Sequence, residues 1–156
     1  MMKIDYRLIR EQAETFAEDV PWDITLYANI AALLFESIHD INWAGFYLIR
    51  DGELLLGPFQ GRPACIRIPV GKGVCGTAVK EEKIVRVEDV HAFPGHIACD
   101  SASASEIVLP IRKEGEIIGV LDIDSPVRGR FSEDDEKGLQ EVVRVIESAM
   151  SKRERI

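Results

Sequence analysis

Three cysteines, Cys65, Cys75 and Cys99, are the residues of this chain best suited to covalent chemistry. They are separated by 10 and 24 positions, and no two form a CxxC pair. In a reducing compartment cysteines act as free thiols, metal ligands or redox groups, and an odd number cannot all pair within one chain. His91 and His96 stand close to Cys99. Structural zinc sites draw on close ligand pairs such as C-x2-4-C, which are missing here, so no metal is expected and the histidines are read as ordering their loop. Cys75 follows a glycine-rich turn at a helix start, where the N-terminal dipole lowers a thiol pKa. GKGVCGT lacks the GxxxxGK(S/T) spacing of a phosphate loop. Cys65 opens a short strand between Pro63 and Pro69. On type alone, each cysteine is equally readable as a small buried apolar residue.

The second chemical group is acidic. Asp122 and Asp124 interrupt the apolar run VLDID and, being two apart on a strand, project from the same sheet face. Charge is depleted inside strands, so the pair is unusual, although two exposed strand residues would look the same. Glu106 begins the preceding strand. Trp43 and Tyr47, four apart on another strand, also share a face and suit either a ligand wall or plain core.

These residues must be positioned by a mixed set of elements. Residues 3–18 read as a helix with Ile4, Leu8, Ala13, Phe16 and Ala17 near one face, ended by Pro21. A second helix over 22–38 carries Leu26, Ile30, Leu33 and Leu34 as a core-facing stripe. The period then changes. Segments 42–49 and 53–59 flank Asp51-Gly52, and 105–112 and 116–123 flank Glu114-Gly115, giving two hairpins. Short strands are expected at 65–69 and 84–87, around a helix within 71–83. Residues 88–104 have no period and form the longest irregular segment, the kind of loop that carries function. Ser132 and Asp135 form a capping box opening a last helix over 132–152, with Leu139, Val142, Val143, Ile146, Ala149 and Met150 on one face. Hairpins imply an antiparallel sheet, and segregated helices imply an α+β fold with the terminal helices on one face.

Composition narrows the function classes. A length of 156 residues favours a single domain spanning 1–156. Twenty-seven acidic against 19 basic residues give a net charge of -8, the wrong sign for a phosphate-backbone partner, so no nucleic acid is expected. The N-terminus has no apolar h-region, and no run approaches the ~20 apolar residues of a membrane helix, which points to the cytoplasm.

Four segments then carry a specific resemblance: INWAGFYLI (41–49), LGPFQGRPACIRIPVGKGVCGTA (56–78), DVHAFPGHIACDSASASEIVLPI (89–111) and GVLDIDSP (119–126). The element order is similar to a GAF domain, a six-stranded antiparallel sheet with helices on one side and a ligand pocket on the other. The four strings resemble the free methionine-R-sulfoxide reductase family. That resemblance implies reduction of free L-methionine-(R)-S-oxide without a bound cofactor. It puts Cys99 at the catalytic cysteine, with Cys65 and Cys75 as candidates for the thiol that resolves it, Cys65 slightly preferred. It implies Glu106, Asp122 and Asp124 as acids that hold substrate and assist the chemistry, and Trp43 and Tyr47 as pocket aromatics. A thioredoxin-like reductant is implied, and a homodimer is allowed.

The implied chemistry needs what the residues supply. A thiolate attacks the electrophilic sulfur of a protonated sulfoxide, releases methionine and becomes a sulfenic acid, which a second thiol converts to a disulfide. A dithiol protein restores both thiols by exchange. Clustered carboxylates would attract the substrate ammonium, and crowding would raise one pKa enough to donate a proton. The competing classes are a GAF ligand sensor without catalysis and a structural or interaction domain. A sensor needs an output module, for which this length leaves little room, and has no use for three cysteines around one pocket.

Overall fold

Pro21 separates helix α1 (Tyr6–Ala17) from α2 (Asp23–Ser37) in the computed structural model, which describes residues 3–96 and 101–153. Helix α1 starts at Tyr6 because the Asp5 side chain accepts a hydrogen bond from the Leu8 amide at 3.1 Å, a helix cap. Its inward face differs from the expected one. Ile9 and Ala13 are buried, whereas Leu8 and Phe16 are 50% and 38% exposed. Helix α1 packs on other helices rather than on the sheet, so only a narrow seam of it is covered. In α2 the expected stripe of Leu26, Ile30, Leu33 and Leu34 is fully inward.

The six strands are β1 (Trp43–Arg50), β2 (Glu53–Gly61), β3 (Arg67–Pro69), β4 (Val85–Val87), β5 (Ser105–Lys113) and β6 (Glu116–Ser125). They form one antiparallel sheet in the order β3-β2-β1-β6-β5-β4. Both expected hairpins close on left-handed pairs, Asp51 and Gly52 at φ 50° and 79°, and Glu114 and Gly115 at 53° and 82°. Two successive positive φ values match the natural twist of a tight hairpin. Strand β3 is shorter than expected. Cys65 precedes it, because pairing with β2 begins only at Arg67 opposite Leu55.

Alternation along the strands builds two apolar layers. Ala44, Phe46, Ile107, Leu109, Leu121 and Ile123 face α2 and the last helix, α4 (Glu133–Arg153). The capping box forms as expected: the Ser132 amide donates to Asp135 Oδ2 at 2.8 Å and the Asp135 amide to Ser132 Oγ at 3.1 Å. The Tyr6 hydroxyl donates to the same aspartate at 2.6 Å, which ties α1 to α4. No helix among the described residues is long and apolar enough to cross a membrane.

The opposite layer is smaller and lies under α3 (Gly73–Glu81). This helix sits so close to the end of β3 that a Cβ at Gly76 would lie 2.4 Å from the Pro69 carbonyl oxygen. Gly76→Ala must therefore lift α3 off the sheet. Such overpacking costs about 1–3 kcal/mol, which a urea titration will show as a lower midpoint. Substrate affinity should fall with it, since α3 roofs the cavity described next.

Candidate active site

Three neighbouring strands bring the acids and aromatics to one place. Glu106 on β5 pairs with Asp124 on β6, and Asp124 pairs in turn with Trp43 on β1. Two residues along, Asp122 lies between Gly45 and Val108. Side chains directly opposite in an antiparallel ladder share a face, so all of them project away from α2 and α4. They meet α3 there. Cys75, in the first turn of α3, places its Sγ 3.9 Å from Glu106 Oε2.

The cavity between sheet and α3 is small, about 40 Å³. Glu106, Asp122, Asp124, Cys75, Trp43 and Tyr47 all line it. The aromatic wall is braced from outside. Trp43 Nε1 donates to the Arg62 carbonyl at 3.1 Å, and the Tyr47 hydroxyl to the Cys65 carbonyl at 2.8 Å. Trp43 stacks between Tyr47 and Phe59, with ring centroids 5.9 and 5.2 Å away. Gly61, at φ 133°, lets the end of β2 pass close over the Trp43 ring, where a Cβ would come within 2.6 Å.

The acids are far from ordinary. Cys75, Asp122 and Glu106 are 3%, 5% and 8% exposed, and among the described residues neither of these carboxyls forms an ion pair. Burial, reinforced by the charges of Asp122 and Asp124, pushes the Glu106 carboxyl well above the usual carboxylate range. Burial also raises Asp122. Both shifts favour the protonated form of these carboxyls.

The same surroundings overturn one expectation. Cys75 does stand at a helix start, but its pKa is raised well above that of a free thiol rather than lowered. Burial dominates, and the carboxyls of Asp122, Glu106 and Asp124 add repulsion. A helix dipole acts weakly by comparison with complete desolvation. Cys75 is a buried free thiol, whereas half-buried Cys65 is disulfide-bonded. Cys99 lies outside the described residues, as does Asp100 beside it.

Some of the cavity lining was not anticipated. Arg62, three residues before Cys65, is the one arginine or lysine among the described lining residues. The pairing of Gly61 with Trp43 at the end of the first hairpin could have pointed to it. Ser103 is buried against the cavity, and its Oγ accepts a hydrogen bond from the Asn42 side-chain Nδ2 at 3.2 Å. The histidines fit loop ordering in part: the His91 amide donates to Asp89 at 3.0 Å, the His96 amide to the Phe93 carbonyl at 3.2 Å, and the two rings lie edge to face at 6.3 Å. His96 in addition borders the cavity, where burial and its neighbour His91 lower its pKa.

This geometry can be set beside known proteins. The GAF domain model matches residues 24–150. The free methionine-R-sulfoxide reductase of Escherichia coli (strain K12) is 61% identical over 124 residues, covering 80% of this chain and 75% of the relative. The chain belongs to the free methionine-R-sulfoxide reductase family. The reduced form of fRMsr of Staphylococcus aureus superposes with a TM-score of 0.92 at 51% identity, covering 96% of this chain and 99% of that one. The same Staphylococcus aureus protein in complex with its substrate superposes with a TM-score of 0.91 at 50% identity, covering 96% and 97%. The family's α+β GAF architecture is thus the architecture here, with α2 and α4 on one face of the sheet and α3 with the cavity on the other.

Proposed function

We propose that this protein reduces the R epimer of free methionine sulfoxide to methionine, with Cys99 as nucleophile and Cys65 as its resolving partner. The observation that carries this is the gathering of Glu106, Asp122 and Asp124, the first two buried, opposite an aromatic wall in one cavity. Carboxylates attract the ammonium of an amino acid, while Trp43 and Tyr47 pack the methyl and methylene groups beside sulfur. Family membership, with a relative solved in complex with its substrate, supports the same reading.

The Cys99 thiolate attacks the sulfoxide sulfur while Glu106, protonated because it is buried among like charges, hydrogen-bonds and protonates the oxygen. Oxygen passes to the thiol, methionine leaves with its sulfur reduced, and Cys99 becomes a sulfenic acid. The Cys65 thiol attacks that sulfur, giving a disulfide and water. A dithiol protein such as thioredoxin reduces the disulfide by exchange and is itself oxidised. Two observations support Cys65 over Cys75 as the resolving thiol. Cys65 is disulfide-bonded, and Cys75 is a free, buried thiol whose raised pKa leaves little thiolate.

The test is epimer-resolved turnover. Purified protein is given racemic free methionine sulfoxide with dithiothreitol or thioredoxin and its reductase. The R epimer should disappear while the S epimer remains. Loss of both epimers at equal rates, or of neither, overturns the proposal. Tight binding of a small molecule without turnover would favour a GAF sensor instead.

A further inference from the structure

The buried cluster at the floor of the cavity joins two of the proposed substrate-holding acids to a thiol that the proposed reaction does not use, a donor set that also suits a metal ion. Cys75 Sγ and one carboxylate oxygen each from Glu106 and Asp122 lie within 4.8 Å of one another, and all three residues are buried. The Sγ to Glu106 distance is 3.9 Å. Two ligands on a tetrahedral zinc-like ion with bonds of about 2.0–2.3 Å stand roughly 3.5 Å apart, so sub-ångström to one-ångström shifts close the cluster on an ion. A second observation points to a ligand. Asp122 is 5% exposed, and its Oδ1, sealed from solvent, has no hydrogen-bond partner among the described residues. A buried carboxylate oxygen left without a donor is costly.

We propose that Cys75, Glu106 and Asp122 form a site for a thiophilic divalent cation of the zinc, cobalt or cadmium class, and that this ion competes with the amino-acid substrate for the cavity floor. The class follows from the donors. One thiolate and two carboxylates suit borderline-soft ions. Calcium needs six to eight oxygens, and magnesium a near-octahedral oxygen shell, neither of which three donors including sulfur provide. Binding forms one metal–sulfur and two metal–oxygen bonds, and the proton of the Cys75 thiol and any carboxyl proton leave to solvent. Three protein donors leave a fourth position open to water. The competition arm rests on the proposed amino-acid substrate; the metal site itself does not.

Cobalt is the probe, because a thiolate bound to Co(II) gives a near-ultraviolet charge-transfer band. Full-length, metal-free protein reduced with a phosphine is titrated with Co(II). One equivalent should produce the band, and Zn(II) should bleach it. Cys65→Ser and Cys99→Ser should keep the band, and Cys75→Ser should lose it. Asp122→Asn should weaken Co(II) by about tenfold or more, the scale on which losing even a ligand's hydrogen-bond partner is felt. Free methionine-(R)-sulfoxide should bleach the band in proportion to its occupancy. Absence of a band in wild-type protein that reduces the sulfoxide overturns the metal site and leaves the reductase reading intact. A band that persists in Cys75→Ser also overturns it. A band in protein that turns nothing over overturns the reductase reading alone.

Discussion

Cys99→Ser abolishes turnover of free methionine-(R)-sulfoxide, with kcat falling by about 10³-fold or more, the scale on which loss of a covalent nucleophile is felt. A serine hydroxyl is scarcely ionised at neutral pH and is a poor nucleophile toward sulfur, whereas a thiolate is a strong one. The companion variants separate attack from recycling. Cys65→Ser releases one methionine per chain in a rapid-quench experiment and then stalls with thioredoxin, because a sulfenic acid on Cys99 has lost its partner. Cys75→Ser completes many turnovers with thioredoxin, since its thiol is buried beneath α3 and is not the one in a disulfide. Recycling by Cys65→Ser at the wild-type rate, together with stalling of Cys75→Ser, would exchange the two roles. Full activity in Cys99→Ser would remove the nucleophile assignment altogether.

Glu106→Gln has opposite effects on rate and on stability. The amide cannot deliver a proton to the sulfoxide oxygen, and loss of a general acid lowers kcat by about 10²–10⁴-fold. The same change relieves a strained site. Glu106 is buried, and its folded-state pKa lies well above 4.5. As pH rises past about 4.3, the unfolded chain gives up this proton while the folded chain retains it. The folded state then binds more protons than the unfolded one, so stability falls with increasing pH until the raised folded pKa is passed. The glutamine variant avoids this loss. It should therefore melt above wild type at pH 8, by about 2–4 °C per kcal/mol recovered in a domain of this size, with the gap closing toward pH 4. Its rate should also lack the alkaline fall that wild type shows as Glu106 loses its proton. A lower melting temperature at pH 8, or wild-type kcat, would show that Glu106 is neither strained nor the acid.

Much of the frame could be read locally. Asp51-Gly52 and Glu114-Gly115 announce hairpins because tight antiparallel turns need positive φ, which glycine adopts without strain and aspartate tolerates. Parity alone put Asp122 with Asp124, and Trp43 with Tyr47, on common faces, since side chains alternate along any strand. The inward stripes of α2 and α4 followed from helical period. The family strings supplied the candidate acids and cysteines, and the acids and Cys75 do line one cavity.

What failed were statements about surroundings. Leu8 and Phe16 have the type and spacing of buried residues, yet α1 covers only the seam marked by Ile9 and Ala13. The local context of Cys75, a helix start after glycines, predicts an activated thiol. The structure seals it beneath the sheet's polar face beside Glu106, which stands 31 positions away, and reverses the sign of its shift. The chain by itself determined which strand face presents each acid and aromatic, because that depends on backbone periodicity. Only the tertiary structure decided that β5, β6 and α3 bring Glu106, Asp122 and Cys75 into one dry cluster. Desolvation and like-charge repulsion there act across space, between residues far apart in the chain, and they decide whether a carboxyl keeps its proton and whether a thiol stays inert.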